Sequence, residues 1–439
     1  MLKKNYTNRG EKILRVLLIS ANTETINMPV LPLGLGCVAT SVQRAGYPVR
    51  LLNLQDQTEP LEAVQEIVEE FPPEVIGISV RNIDDQNRVN PMFYLDSVKE
   101  VVSICRNRTR AVIVLGGAGY SIFPQSALDY LEADLGIQGE GEAAFLELLH
   151  RLQNKIELSG IPGLYFFRQG TQNRPKRIDN LAAYPLPLPH THIRIPAMLE
   201  EEEIWFPVQT RRGCPMNCYY CSTASIEGRA IRKYPPEKVV EMISRYVDAG
   251  FDRFFFVDNT FNFPPSYAKT LCDRLISADL KMTWRCILYP WKVDETLVSK
   301  MALAGCREVS FGFESGSMKI LRNMNKRYGP DDVRKISERL KAVGIHRMGF
   351  LLLGGPGETR ETVLESLTFA DSLALEVVKV TIGIRIYPRT LLARTAFEAG
   401  LIESNENLLF PKFYMEKTVE GWLDQTVDAW MEDRPNWIK

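Results

Sequence analysis

The sequence predicts an α/β protein built on two parallel sheets, with a doubly wound, flavodoxin-like amino-terminal domain followed by a (β/α)6 partial barrel. Three observations carry this prediction. Short apolar runs alternate with helical stretches up to about residue 150, and a second such series begins after about residue 200. A proline-rich segment of weaker pattern separates the two series. We therefore predict a doubly wound domain at 1–150, a linker with a hairpin at 151–200, the partial barrel at 201–390 and a capping segment at 391–439.

Composition and charge limit which classes of function the protein can have. The 439 residues are 45% hydrophobic and 24% charged, which is typical of a globular protein with two or three domains. A formal net charge of -1 gives no electrostatic reason to expect nucleic acid. No apolar stretch approaches the roughly 20 residues that cross a bilayer, and Arg15 interrupts the first apolar run, so we identify no signal peptide. We expect a cytoplasmic protein with a small partner.

The first series predicts five strands of a parallel sheet, "ILRVLLIS", "VRLLNLQ", "EVIGISV", "AVIVLGG" and "DLGIQG". Ligands of such sheets bind beyond the carboxyl ends of the strands. There the sequence has one long loop, the loop "RNIDDQN" and two glycine-rich turns, "GGAG" and "GEGE". These glycines allow either close approach of a ligand or simply tight turns. Since both GxGxxG and a Walker lysine are absent, we expect a large ligand other than a dinucleotide or ATP.

The linker predicts a hairpin around Gly170 and then an extended, proline-rich stretch. His190 and His192 lie in that stretch. Two readings stay open for these histidines, metal ligands or solvated polar side chains of a linker.

The second series predicts six strands, "FPVQTRRG", "RFFFVDNTF", "MTWRCILY", "REVSFGFES", "HRMGFLLLGG" and "VVKVTIGIRIY". The first helix between them is predicted to bury Val239, Val240, Ile243 and Val247 on one face. In βα barrels the catalytic mouth lies at the carboxyl ends of the strands. The tail after about residue 391 either caps that mouth or forms an amphipathic helix over apolar surface.

The stretch "RRGCPMNCYYCSTAS" places Cys214, Cys218 and Cys221 within eight residues just after the first barrel strand. The other five cysteines are scattered among apolar residues, as expected for free buried thiols. A structural zinc ion needs four ligands, and no histidine or fourth cysteine lies within easy sequence reach. A cubane iron–sulfur cluster held by three thiolates keeps one iron open for chemistry.

The C-x3-C-x2-C spacing resembles that of the radical S-adenosylmethionine (SAM) enzymes. "FVDNTFN", "SFGFESGS", "GFLLLGGPGET" and "YPRT" match further motifs of that family in order. The resemblance implies that the three cysteines hold a 4Fe-4S cluster whose open iron binds SAM. It also implies SAM contacts from Tyr220, Asp258, Asn259, Glu314, Gly354 and Gly357. For Asp258 the alternative is a helix cap, and Glu358 is predicted to serve as a helix-start carboxylate.

"PLGLGCVATSVQRAGYPVRLLNLQ", "VLGGAGYSIFPQSALDYL" and "GIQGEGEAAF" resemble the cobalamin-binding domain of one large branch of that family. The D-x-H-x-x-G motif is missing and residues 1–149 contain no histidine, so we expect base-off cobalamin without a histidine ligand. We place the "RNIDD" loop beneath the corrin, with a buried Arg81–Asp84 ion pair as the alternative. The implied cobalamin contacts are Leu33, Gly34, Arg81, Asn82, Gly116, Gly117, Gly119, Gly139, Glu140 and Gly141.

The resemblance implies a cobalamin-dependent radical SAM methyltransferase. A 5′-deoxyadenosyl radical would abstract hydrogen from an unactivated carbon, and methylcobalamin would supply the methyl group. Two alternatives stay open: a non-methylating enzyme of the same branch (a cyclase, a ring-contracting or an oxidising enzyme), and a cobalamin- or cluster-binding sensor without turnover. Expected partners are a small-molecule, peptide or lipid substrate and an external one-electron reductant of the flavodoxin or ferredoxin type. No residue is assigned to the catalytic step itself.

Overall fold

The computed structural model describes residues 13–24, 31–171, 173–184, 186–187 and 204–439. His190 and His192 lie outside these ranges, so the two readings of the linker histidines stay open. No helix within the described ranges is long and apolar enough to cross a bilayer.

The first sheet has the strand order β2-β1-β3-β4-β5-β6, whose first five strands follow the flavodoxin-like order. All five predicted strands form, and a sixth, antiparallel strand extends the edge. The strands are β1 (Val16–Ser20), β2 (Val49–Asn53), β3 (Val75–Ser79), β4 (Val112–Gly116), β5 (Leu135–Ile137) and β6 (Leu164–Phe166). The helices are α1 (Leu33–Arg44), α2 (Pro60–Glu70), α3 (Leu95–Arg108), α4 (Ala118–Ile122), α5 (Pro124–Leu131) and α6 (Gly141–Gln153).

Both faces of this sheet are covered. Leu17 and Ile19 of β1 belong to one apolar core, while Val16 and Leu18 belong to another. Because side chains alternate between the faces of a strand, a strand that is buried on both faces becomes a continuous apolar run. This is why the sequence shows these strands so clearly.

The second sheet has the strand order β17-β14-β13-β12-β11-β10-β7, and all of its strand pairs are parallel. The six predicted barrel strands form, and β17 from the tail pairs with β14. The strands are β7 (Phe206–Val208), β8 (Arg211–Arg212), β9 (Arg232–Lys233), β10 (Arg253–Phe256), β11 (Thr283–Leu288), β12 (Cys306–Glu314), β13 (His346–Leu353), β14 (Val377–Ile382), β15 (Ile384–Arg385), β16 (Phe413–Tyr414) and β17 (Trp437–Ile438).

The helices of this second half lie between its strands and in the tail. They are α7 (Thr223–Ile226), α8 (Pro236–Asp248), α9 (Pro265–Ala278), α10 (Glu295–Leu303), α11 (Met318–Asn323), α12 (Pro330–Ala342), α13 (Arg360–Ser372), α14 (Leu391–Glu398) and α15 (Leu423–Met431).

Two local features differ in detail from the sequence prediction. Met242 and Tyr246 of α8 are buried, whereas Val240 and Val247 are only half-buried, because Tyr246 packs its ring against a strand phenylalanine. The turn around Gly170 closes through a single bridge to Phe166, and the strand before it pairs with β5.

The two halves are joined by a common apolar core and by a buried ion pair. Ile320 and Ile384 from the second half belong to the same apolar core as β1 residues of the first. Asp84, in the loop after β3, forms an ion pair with Arg385 at 2.9 Å, and both side chains are almost completely buried. The carboxyl ends of the two sheets therefore face a common region.

Candidate functional site

A cavity of about 530 Å³ lies where loops of the two halves meet. Its wall includes Ser20, Ser79 and Gly116 at the carboxyl ends of first-sheet strands. On the other side it includes Val257 and Asn259, which follow β10 of the second sheet. The volume falls within the range of small-molecule and cofactor sites, roughly 300–1,000 Å³.

Every residue predicted to contact cobalamin lines this cavity except Gly119. A Cβ atom at Gly119 would collide with the backbone of Arg81, so that glycine serves close packing of two loops. A Cβ atom at Gly34 would meet no atom within 4 Å. A larger residue at such a glycine would project into the open cavity and reduce the space for a ligand. The glycine therefore leaves room for a bulky cofactor.

One arm of the cavity is apolar and runs along the face of the first sheet. Leu18 and Gly77 form its floor, while Val38 of α1 and Phe145 of α6 form its sides. A Cβ atom at Gly77 would lie 2.7 Å from the end of the Leu18 side chain, so a larger residue there would displace that side chain. The cavity thus combines a polar mouth with a narrow apolar slot.

The loop after β3 presents Arg81 and Asn82 to the cavity. Asn82 donates its amide Nδ2 to the Glu24 carboxylate. Burial lowers the pKa of Arg81, and the Glu24 charge opposes that shift. The alternative of an Arg81–Asp84 ion pair is wrong, because Asp84 pairs with Arg385 instead.

The "GEGE" turn connects the cavity to the segment that carries the cysteines. Glu142 forms an ion pair with Arg212 at 2.6 Å, and Glu140 forms one with Arg232 at 2.5 Å. Burial alone would lower the pKa of Arg212, but the charge of Glu142 raises it well above the ordinary value. Since Arg212 lies two residues before Cys214, these pairs fix the cysteine loop against the first domain.

The three cysteines occupy one loop after β8, with Cys214 buried, Cys218 half-buried and Cys221 exposed. Burial raises the pKa of Cys214 to about 11, and the charges of the other two sulfurs act in the same direction. A cubane cluster binds each thiolate to a different iron, so its sulfurs need not converge on one point. Within the described ranges, no three His, Cys, Asp or Glu side chains are placed to share a single metal ion. The loop therefore fits a cluster better than a lone ion.

A buried network that the sequence did not indicate surrounds Cys218. Lys326 donates its Nζ to Glu314 Oε1 at 2.9 Å and to the Tyr220 hydroxyl at 3.0 Å. Burial raises the pKa of Cys218, and the charge of Lys326 opposes that shift. Tyr220 donates its hydroxyl to Glu314 Oε1 at 2.8 Å. Burial alone would lower the pKa of Lys326, but Glu314 raises it well above the ordinary value. No motif or period marks Lys326, which follows a short helix after the "ESGS" stretch.

The two polar residues after β10 have different roles. Asp258 is completely buried and accepts hydrogen bonds from the Thr210 amide at 2.8 Å and hydroxyl at 2.6 Å, and it pairs with Arg211 at 3.3 Å. The helix-cap alternative is wrong, since no side chain caps α9. Asn259 lines the cavity and donates to Glu227 Oε2 at 2.8 Å. Asp258 therefore anchors the strand that leads to the cysteines, while Asn259 faces the cavity.

The "GGPGE" turn after β13 folds back on its own carboxylate. Glu358 Oε2 accepts hydrogen bonds from the amides of Gly354 and Gly355. Burial raises the pKa of Glu358 to about 7, and those amide donors oppose the shift. Thr359 caps α13, so the prediction of Glu358 as a helix-start carboxylate is wrong. Gly354 and Gly357 have φ of 92° and 81°, a conformation that favours glycine.

Comparisons with known proteins agree with this arrangement. Residues 208–370 match the model of the radical SAM superfamily, and residues 19–149 match that of the B12 binding domain. An uncharacterized methyltransferase of Pyrococcus horikoshii is 28% identical over 402 residues, which cover 89% of this chain and 85% of that protein. The cytidylyl-2-hydroxyethylphosphonate methyltransferase of Streptomyces wedmorensis is 24% identical, covering 92% and 85% of the two chains.

A solved structure shares the whole fold. The radical S-adenosylmethionine methyltransferase TsrM from Kitasatospora setae, with cobalamin and a 4Fe-4S cluster bound, matches with a TM-score of 0.87. The match covers 97% of this chain and 93% of that one, at 21% identity. The predicted fold class is confirmed, with both cofactor-binding domains in the predicted order.

Proposed function

Because the chain belongs to the cobalamin-dependent radical SAM family, we propose that it methylates an unactivated carbon of a small-molecule substrate. When bound, the cluster and SAM supply a 5′-deoxyadenosyl radical that abstracts hydrogen, and methylcobalamin supplies the methyl group. One observation carries the proposal: a single cavity whose wall combines loops of the B12-binding domain with residues beside the cysteine loop. A methyl donor and a radical source must both reach one substrate, and a cavity wall shared by the two halves supports such an arrangement.

The cysteine loop is proposed to hold the cluster through Cys214, Cys218 and Cys221. Lys326 adds a buried positive charge beside Cys218, which offsets the negative charge of thiolate ligands. The reaction needs one electron from outside the chain, and we assign that role to a flavodoxin- or ferredoxin-type protein.

For SAM we propose contacts from Asn259, Gly354, Gly357, Glu314 and Tyr220. Glu314 uses Oε1 for Lys326 and Tyr220, whereas its Oε2 accepts no hydrogen bond from the described residues. That oxygen is available to a donor group of the ligand. Asp258 is already saturated by the protein, so we propose that it positions the cysteine strand and does not contact SAM itself, unlike the sequence prediction.

For cobalamin we propose the base-off form without a histidine ligand. The apolar slot beside Gly77 supports this form, because a nucleotide tail detached from cobalt needs a buried place of its own. No histidine is present among the described residues that line the cavity, and the loop assigned to the lower face contributes Arg81 and Asn82 to its wall.

The EPR spectrum of the protein loaded with cob(II)alamin tests this form. We expect no splitting of the cobalt lines by an axial nitrogen, because neither a histidine nor the nucleotide base would reach the metal. Free cob(II)alamin at neutral pH, whose own nucleotide base binds cobalt, serves as the positive control and is expected to show that splitting. Nitrogen splitting in the protein alone would contradict the base-off proposal.

The decisive test of the function is an anaerobic assay of the protein reconstituted with iron, sulfide and cobalamin. It is incubated with dithionite, methyl-labelled SAM and a small-molecule extract of its own host cells. We expect 5′-deoxyadenosine, S-adenosylhomocysteine and a labelled small molecule. 5′-Deoxyadenosine without S-adenosylhomocysteine would favour a non-methylating enzyme, and the absence of both would favour a sensor.

A further inference from the structure

Two exposed arginines hold the outer side of the turn between the first two cysteines of the loop. Arg229 donates its Nη2 to Asn217 Oδ1 at 2.7 Å. Arg327, from the other side, donates its Nη2 to the Pro215 carbonyl at 3.4 Å. Asn217 and Pro215 thus bring two cations from distant parts of the chain to one surface.

A third exposed cation joins them through an aromatic ring. Lys292 Nζ lies 4.4 Å from the centroid of the Trp291 ring, and the Arg327 guanidinium lies 5.3 Å from the same centroid. We call Arg229, Lys292 and Arg327 the basic rim. Within the described part of the chain, none of the three forms an ion pair with a carboxylate.

The two acidic residues closest in sequence to the basic rim, Glu227 and Asp294, form no ion pair with it among the described residues. Asp294, two residues after Lys292, forms an ion pair with Lys269 at 2.6 Å. The basic rim therefore keeps its positive charge, even though the chain as a whole has a formal net charge of -1.

The basic rim also lies next to the proposed cluster. Pro215 follows Cys214 and Asn217 precedes Cys218, and neighbouring Cα atoms are about 3.8 Å apart. A protein that contacts this turn would therefore stand one residue from two cluster ligands. Lys326, which precedes Arg327 of the basic rim, is instead buried, with 4% of its side chain exposed.

We propose that the basic rim is the docking surface for an acidic one-electron carrier protein. The inference rests on the proposed function, because only a redox cluster in this loop needs such a partner. One electron passes from the reduced flavin or iron–sulfur group of the carrier to the oxidised cluster. The carrier loses one electron, the cluster gains one, and no bond forms or breaks.

Charge complementarity makes an acidic carrier the fitting partner. Opposite charges on two docking surfaces raise association rates by about 10- to 10³-fold, and this gain falls steeply as salt is added. Two cations on the turn and a third beside Trp291 supply such a local field, which a net charge near zero over the whole chain would not. The effect is therefore expected in the rate of electron transfer and in its dependence on salt.

The test measures reduction of the reconstituted cluster by a purified flavodoxin in its fully reduced form, followed anaerobically by absorbance and EPR. The rim variant combines Arg229→Glu, Lys292→Glu and Arg327→Glu. The matched control combines Arg44→Glu, Arg110→Glu and Lys341→Glu, three exposed cations that lie at the amino ends of the strands. Both variants change the net charge equally, so only the position of the charges differs.

At an ionic strength of about 0.01 M we expect the rim variant to be reduced at least about tenfold more slowly than the wild type, and the control variant to match the wild type. In about 1 M salt, where charges are screened within about 3 Å, the difference is expected to vanish. Lys292→Glu alone, which touches neither turn residue, is expected to show a smaller fall with the same salt dependence.

Reduction by dithionite needs no docking protein, so it distinguishes a loss of docking from damage to the cysteine loop. Because dithionite is itself an anion, this control is run in about 1 M salt, where we expect all variants to reach the same extent of cluster reduction. A lower extent in the rim variant would overturn the proposal by showing an altered cluster. Equal flavodoxin rates in the rim and control variants would overturn it as well. If wild-type protein with a reduced cluster forms no 5′-deoxyadenosine from SAM, the proposed function fails instead, and that result is distinct from a docking failure.

Discussion

Cys218→Ala is expected to abolish formation of 5′-deoxyadenosine in the reconstituted protein. The thiol of Cys218 is a proposed cluster ligand, and the charge of the buried Lys326 acts on it. Loss of outer-shell partners of a metal typically costs about 10–100-fold, so loss of a ligand itself is expected to cost more than about 10³-fold. The measurement is anaerobic product quantification, together with iron content and the EPR signal of the reduced cluster.

A second cysteine supplies the control for this experiment. Cys105 is completely buried in α3, in the first half of the chain and away from the cysteine loop. Cys105→Ala removes a sulfur atom that is more deeply buried than that of Cys218, so its packing cost is at least as large and the cluster is untouched. We expect wild-type iron content and product formation in this variant. Equal losses in both variants would show that stability, not cluster ligation, accounts for the effect at Cys218.

The central strands of the first sheet could be predicted from sequence because burial on both faces leaves a strong signal. The runs around β1, β3 and β4 are continuous and apolar, and short helices between them leave few other topologies. The face of α8 was predicted less well. The sequence prediction placed Val247 on the buried side, whereas the structure buries Tyr246, whose ring packs against a strand phenylalanine.

The residues of the site could be predicted where they lie close together in the sequence. The cysteine motif and the glycine-rich turns lie within short stretches, so their sequence already gives their neighbourhood. Contacts between distant segments could not be found in this way. Lys326 reaches Tyr220 across 106 positions, and Asp84 reaches Arg385 across 301.

Neighbouring side chains of one motif can also have different roles. Asp258 and Asn259 are adjacent, yet one is saturated inside the protein and the other faces the cavity. Alternation along an extended chain sends neighbours to opposite sides, but the sequence does not say which side is open. The same holds for Glu140, whose carboxylate is engaged by Arg232 although its residue lines the cavity.

The buried ion pair between Asp84 and Arg385 is expected to make a large contribution to the free energy of unfolding. Arg385 also donates its Nη2 to the carbonyls of Leu408 and Leu409 at 3.0 and 3.2 Å. Arg385→Met would leave the Asp84 carboxylate buried without a counter-charge, which typically costs about 3–5 kcal/mol. We expect a fall of that size in urea unfolding followed by near-ultraviolet circular dichroism.

The exposed pair between Arg108 and Glu69, at 2.6 Å, is the matched control. Arg108→Met is expected to cost less than about 1 kcal/mol, since exposed pairs are screened by solvent. The double variant Asp84→Asn with Arg385→Met is expected to be less destabilised than Arg385→Met alone, because no charge is then left buried. Equal costs for Arg385→Met and Arg108→Met would contradict this account of the ion pair.

The ion pair between Asp84 and Arg385 also affects the cavity, because it holds a loop that lines the cavity. Asp84 lies two residues after Asn82 and three after Arg81, the residues that we assign to the lower face of cobalamin. A loop freed from Arg385 must be ordered again when the cofactor binds, and that ordering consumes binding free energy. We therefore expect Arg385→Met, assayed where the protein is still folded, to bind cobalamin more weakly, whereas Arg108→Met should bind it as the wild type does. Unchanged cobalamin affinity in Arg385→Met would separate the stability of this loop from the cofactor site.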